Sequence, residues 1–175
     1  MKKITSHEIA LSALACAIAT ILLTVGMYSQ ILLFTGYLIG SIAMMLPLSK
    51  NSYVGYALSY IATCLLTLLF SSFRIWDVLP FGAFFGLHPL VNELQLKSKW
   101  KTWVWFIIKA VWFDGVMWLI WSLIFQITAP LPWINDYIWL FILVLGSAFF
   151  LFYDYTSFKA RTLVNRLVEK ITKKK

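Results

Sequence analysis

The sequence predicts an all-α polytopic membrane protein of six transmembrane helices, with the N- and C-termini both cytoplasmic. Three observations carry this. Of 175 residues, 61% are apolar and only 13% charged, with a mean hydropathy of +0.82; ordinary soluble domains carry about 25% charged residues. The apolar residues gather into six runs, each close to the roughly 20 residues that one helical crossing needs. These runs are continuous blocks rather than alternating strands, so helices rather than a closed barrel satisfy the backbone in lipid. Finally, thirteen of the fifteen Lys and Arg fall at the chain ends or in two short loops that six crossings place on one side.

The first span is placed at residues 9–28. Within "EIALSALACAIATILLTVG", Ala10, Ala13, Ala17, Thr20 and Thr24 recur at helical steps and make one seam nearly flat. Bulk adds little to association in lipid, whereas small residues allow close backbone approach, so this seam is expected to be a docking face. The second span, 31–48, follows after only "SQ" at 29–30, which predicts a tight hairpin. It contains Gly36-x-x-x-Gly40 followed by Ala43, a packing pattern. "SKNS" at 49–52 is a loop, and 53–70 is the third span.

The fourth span, 75–91, is the weakest. Pro80 and Pro89 each remove a backbone donor, and the alternative is a re-entrant segment. Gly82-x-x-x-Gly86 lies between them and again favours packing. Charge decides for a crossing. Six crossings put Lys2, Lys3, Lys50, Lys97, Lys99, Lys101 and the basic tail on one side and leave only Arg74 opposite. Omitting the fourth would move the 92–101 loop and the tail outside, against the positive-inside rule.

After the loop "NELQLKSKWK" at 92–101 come the fifth span at 103–126, the turn-rich loop "TAPLPWINDY" at 128–137 and the sixth span at 138–153. Residues 154–175 form a basic cytoplasmic tail. Val164, Leu167, Val168 and Ile171 share one helical face there, which suits an amphipathic extension along anionic lipid headgroups.

Several functions are excluded or unsupported. The basic charge sits where it orients spans, not in a patch that would bind nucleic acid. Cys16 and Cys64 lie within apolar runs as small hydrophobes, so no disulfide framework is implied. The first run lacks the form of a cleaved signal peptide. There is no HExxH, GxSxG, phosphate-binding loop or CxxC, and only two histidines, His7 and His88. No enzyme activity, metal site or cofactor is expected.

Two charges fall inside the fifth span. Each costs about 2.5–3.5 kcal/mol at a helix centre, which makes intramembrane charges functional candidates. Lys109 is near the cytoplasmic end, where its stem is expected to snorkel to the headgroups. Asp114 has no such escape, lying about 16 Å along the helix from Trp103. Trp118, Trp121 and Phe125 follow it on one face toward the outside. An acid beside indole rings suits a cationic or flat heteroaromatic ligand, while the plainer alternative is a structural Asp bonded to a neighbouring helix. At the outer surface, Arg74, Trp76, Asp77, Trp133, Asn135 and Asp136 come together. Their aromatics also fit an interfacial belt, and Arg74, alone in charge on its side, is either an anion ligand or the partner of Asp77. His88 and Glu93, near the cytoplasmic end of the fourth span, are within reach of Lys109.

The first span reads Ala13-Leu14-Ala15-Cys16-Ala17, with an overlapping Ala15-x-x-x-Ala19. A short, basic-ended, six-helix chain with this motif near the cytoplasmic end of its first helix resembles the S components, the substrate-binding membrane subunits, of energy-coupling factor transporters. The resemblance implies that the alanine face, here Ala10, Ala13, Ala17 and Thr20, docks onto a transmembrane coupling subunit driven by two cytoplasmic ATPases. It also implies a small, vitamin-like solute bound in the outward half, for which Asp114, Trp118, Trp121, Arg74, Trp76 and Trp133 are the candidate ligands. The first loop, "YSQ", is shorter than the family's lid, and the histidine-bearing N-terminus of its metal-transporting members is absent, so nickel or cobalt is not expected. The location implied is a bacterial-type cell membrane. The alternative function is a non-transport scaffold, such as a subunit of a cell-shape complex, that uses the same seam to bind a partner helix.

Overall fold

The computed structural model describes residues 4–29, 31–120, 122 and 137–172, and among these every regular element is helical. In chain order they are α1 (Ser6–Ser29), α2 (Leu33–Leu48), α3 (Tyr53–Phe70), α4 (Ile75–Pro80), α5 (His88–Lys97), α6 (Thr102–Ile120) and α7 (Ile138–Thr172). Four of them, α1, α3, α6 and α7, are long and apolar enough to cross a membrane, and α2 is a shorter apolar helix.

The distribution of side chains on α3 shows the solvent this fold is built for. Gly55, Ser59, Thr63 and Thr67, four residues apart, are buried, while Leu58, Ile61, Leu65 and Leu69 face outward. A water-soluble helix buries its leucines and exposes its threonines. In lipid the leucines can face out, and small residues turned inward let backbones approach. The buried stripe meets α1, where Ser12 comes so close to Gly55 that a Cβ there would lie 2.4 Å from its hydroxyl.

Helix α1 begins with a reciprocal cap. The Thr5 amide donates to Glu8 Oε2 (2.7 Å) and the Glu8 amide to Thr5 Oγ1 (3.3 Å), satisfying two donors that the first turn leaves free. The helix returns through the expected tight hairpin into α2. Gly36 lies so close to α1 that a Cβ would sit 2.8 Å from the Leu22 carbonyl oxygen. Gly40 packs beside Ala19, Leu23 and Phe81.

Residues 75–91, expected as a fourth span, are helical but broken, as the two prolines imply. Helix α4 passes into a π-helical turn, Phe81–Phe85, and α5 starts afresh with Pro89 in its first turn. The amides of Leu90 and Val91 both donate to the Leu87 carbonyl (3.0 and 3.2 Å). The Gly86 carbonyl instead accepts the Tyr56 hydroxyl, and Gly82 accepts that of Tyr60. Two tyrosines of α3 thus satisfy backbone groups at the break, which an apolar setting requires. One boundary needs correction: the loop expected at 92–101 is helical as far as Lys97, because side chains on α7 and before α3 hold its last turn.

Helix α7 runs 35 residues with a π-helical turn at Ile142–Gly146 and passes through 153/154 without a break. The change there is in composition, not in backbone. Ala160, Val164 and Val168 pack against Leu11 and Met45, whereas Leu167 and Ile171 face outward. The apolar positions expected to share one face are therefore divided between the bundle and its surroundings. At the centre, Phe81, Phe84, Phe85, Phe113, Phe150 and Tyr153 form a closed aromatic core.

Candidate functional site

Helix α1 carries two small-residue registers with different fates. Ala15 and Ala19 are fully buried in the core with Leu23 and Met27. Ala10, Ala13 and Ala17 face outward, Thr20 is buried and Thr24 half-buried. The seam is therefore an outward face over its first half and a packing face beyond. Beside it, between α1 and α3, runs a groove of about 250 Å³ lined by Ile9, Ala13, Cys16, Gly55, Ser59 and Ala62 among others. Its width follows from the small residues on both helices.

Of the candidate solute ligands, Trp121 and Trp133 lie outside the described residues. The other four fall in two places. Arg74 pairs with Asp77 (2.5 Å) and donates to the Met27 carbonyl at the end of α1 (3.0 Å), so it is the partner of Asp77 that the sequence allowed. Trp76, on α4, faces outward. Asp114 and Trp118 line a groove of about 350 Å³ on the outer face of the α6–α7 contact, with Gly115, Trp139 and Leu143. Neither Arg74 nor Trp76 reaches this groove.

Asp114 is partly committed to the fold. Ser147 of α7 donates to its Oδ2 (2.8 Å), while Oδ1 is buried with no hydrogen-bond partner among the described residues, beside Gly146, where a Cβ would lie 3.0 Å away. The carboxylate thus bridges two helices and keeps one oxygen unspent. On the other side of the same helix pair, toward α2, opens a recess of about 410 Å³. Phe34, Phe113, Phe141 and Phe149 surround it with Met117 and Ile120, and among the described residues no ionisable side chain lines it. Its chemistry suits a flat, ring-bearing molecule.

The most polar site gathers Lys109 and His88, expected within reach of each other, around Asp154, which the sequence did not single out; Glu93, expected there too, is engaged elsewhere. Lys109 was expected to snorkel outward; instead it is 0% exposed and points into the bundle. Its ammonium donates to Asp154 Oδ1 (2.5 Å) on α7 and to Asn92 Oδ1 (2.9 Å) on α5. His88 Nε2 stands 3.0 Å from the same Asp154 oxygen, and Asn92 Nδ2 donates to Ser157 Oγ (3.2 Å). One turn on, Glu93 is held by Arg161 and by Lys97 (3.4 Å). Lys97 also donates to the Tyr53 hydroxyl, which is the main reason its ammonium is held above the usual lysine pKa. Asp154, the centre of the cluster, was passed over because it stands at the start of the basic tail. The usable signal was Asp154, Ser157 and Arg161 at i, i+3 and i+7, which puts three polar side chains on one helical face.

Among the described residues no three His, Cys, Asp or Glu gather as a metal site. Comparison with protein families, with curated proteins and with solved structures finds no match for this chain.

Proposed function

We propose that this protein is a membrane-embedded solute-binding subunit for uptake of a small, vitamin-like molecule, working in the manner of the energy-coupling factor S components it resembles. The single observation that carries the reading is the outward set of Ala10, Ala13 and Ala17 beside the α1–α3 groove. The bundle already uses Ala15 and Ala19 for its own packing. A second small-residue face left outward is what a helix of a coupling subunit would dock against. In this reading the chain crosses six times with both termini cytoplasmic, and the docking face lies in the cytoplasmic half. ATPase activity belongs to the partner subunits.

The solute is proposed to enter between α2, α6 and α7, where phenylalanines supply stacking surface. A cationic solute would instead be drawn to Asp114, Trp118 and Trp139 by charge pairing and cation–π contact. Purification of the full chain from its native membrane, with assay for a bound ATPase-bearing complex and for thermal stabilisation by a panel of vitamins, tests the proposal. Recovery of neither an ATPase nor a stabilising solute contradicts it. Asp114→Asn distinguishes the two solute classes: it abolishes binding of a cation and leaves that of a neutral ring unchanged.

A non-transport scaffold, for instance within a cell-shape complex, is the second reading. Its support is the interhelical bond from Ser147 to Asp114 and the filled aromatic core, which suit a rigid helix-presenting body. Copurification with a partner that lacks ATPase subunits would favour it.

A further inference from the structure

The groove on the outer face of the α6–α7 contact is built from one face of each helix. Val111, Asp114 and Trp118 recur at helical steps on α6, and Trp139 and Leu143, one turn apart, come from α7. Gly115 keeps it wide: a Cβ built there meets nothing within 4 Å, so the groove is open beside Asp114. Its volume of about 350 Å³ lies at the lower end of the roughly 300–1,000 Å³ that small-molecule sites occupy.

Two properties of these walls narrow the ligand. The first is charge with little hydrogen-bonding capacity. Asp114 Oδ2 is engaged by Ser147, and Oδ1 is buried beside Gly146. Among the described residues the other walls carry no side-chain acceptor, only aliphatic groups and two indole rings. A primary ammonium brings three N–H donors that would go largely unmet here. A quaternary ammonium brings none, and it is held by the carboxylate charge and by the faces of the indoles. The second property is the direction of approach. Val111 is 66% exposed, Leu143 54%, and Trp118 and Trp139 53% each. With α6 and α7 across the membrane, these apolar side chains face lipid, and the groove opens toward acyl chains rather than into the bundle.

We infer that the groove binds the quaternary ammonium head of an amphiphile that arrives through the lipid, with the head between Trp118 and Trp139 against Asp114 and the chain along Val111 and Leu143. The inference rests on the cationic-solute arm of the function proposed above and gives that arm a chemical class: a membrane-dissolved, fully N-alkylated cation instead of a water-soluble amine. The phenylalanine recess toward α2 and the alanine face of α1 have no part in it.

The full chain, reconstituted in vesicles of phosphatidylethanolamine and phosphatidylglycerol, tests it, because neither lipid carries a quaternary nitrogen. The probe is octadecyltrimethylammonium with a nitroxide on its chain, and electron spin resonance reads the fraction immobilised by protein. Wild type is expected to immobilise it in excess of the variants. Asp114→Asn should abolish that excess, and so should Gly115→Leu, which fills the open space without displacing a neighbour. Trp118→Leu should weaken binding about two- to fivefold, the range of one exposed cation–π contact. Unlabelled octadecyltrimethylammonium should displace the probe, whereas octadecylammonium and choline at the same concentration should not. Equal immobilisation by wild type and all three variants overturns the inference. Displacement by octadecylammonium overturns the quaternary preference, and displacement by choline overturns the route through lipid. These vesicles hold no partner subunit, so loss of binding here is distinct from failure to recover an ATPase-bearing complex.

Discussion

Lys109 and Asp154 form a buried charge pair, flanked by the neutral Asn92 and by His88. Removing one partner leaves an uncompensated buried charge, which costs about 3–5 kcal/mol. Lys109→Met should therefore lower stability by that amount, measured by reversible unfolding in detergent, and Lys109→Met with Asp154→Leu should recover most of it because no charge is then stranded. The position of Lys109 within a span was legible from hydropathy alone. Its direction was not, because a lysine close to the end of a span can turn either way and the choice depends on an acid 45 residues later. Asp114 shows the converse. Its depth in the fifth span was readable from rise per residue, and so was the possibility of a helix-to-helix bond, but Ser147 as the donor follows only from how α6 and α7 pack.

At the scale of the helix, glycine positions divide into those that a neighbour requires and those it does not. Gly36 touches the Leu22 carbonyl, so Gly36→Ala forces the α1–α2 hairpin apart and should cost about 1–3 kcal/mol. Gly115 has nothing within 4 Å of a built Cβ, so Gly115→Ala should be neutral or stabilising by up to about 1 kcal/mol. Thermal unfolding of the two variants side by side reads the difference. The hairpin was legible from "SQ" between two apolar runs and the glycine spacing in the second. The break in the fourth span was announced by Pro80 and Pro89. The continuation of α5 to Lys97 was not, since "NELQLK" is polar and its helix is held by Arg161, Asn51 and Tyr53 from elsewhere in the chain.

For the whole molecule, the proposed orientation rests on where lysines accumulate and the proposed docking on which alanines remain outside. With Cys16 and Cys64 replaced, a cysteine at Ser98 should react with a membrane-impermeant thiol reagent only from the cytoplasmic side, and one at Ser72 only from outside; the reverse pattern would invert the topology. The all-helical membrane architecture was legible because lipid imposes run length and hydropathy on every crossing. The sorting of α1 into Ala15 and Ala19 inside and Ala10, Ala13 and Ala17 outside was not, because two overlapping small-residue registers look alike until α2 and α3 are in place. That sorting is the basis of the proposed function, and affinity copurification of Ala13→Leu against wild type tests it most directly. Wild type is expected to bring down an ATPase-bearing membrane complex, whereas Ala13→Leu loses it and keeps its own thermal stability. Equal recovery of that complex with both chains, or no ATPase-bearing partner with wild type, would contradict it.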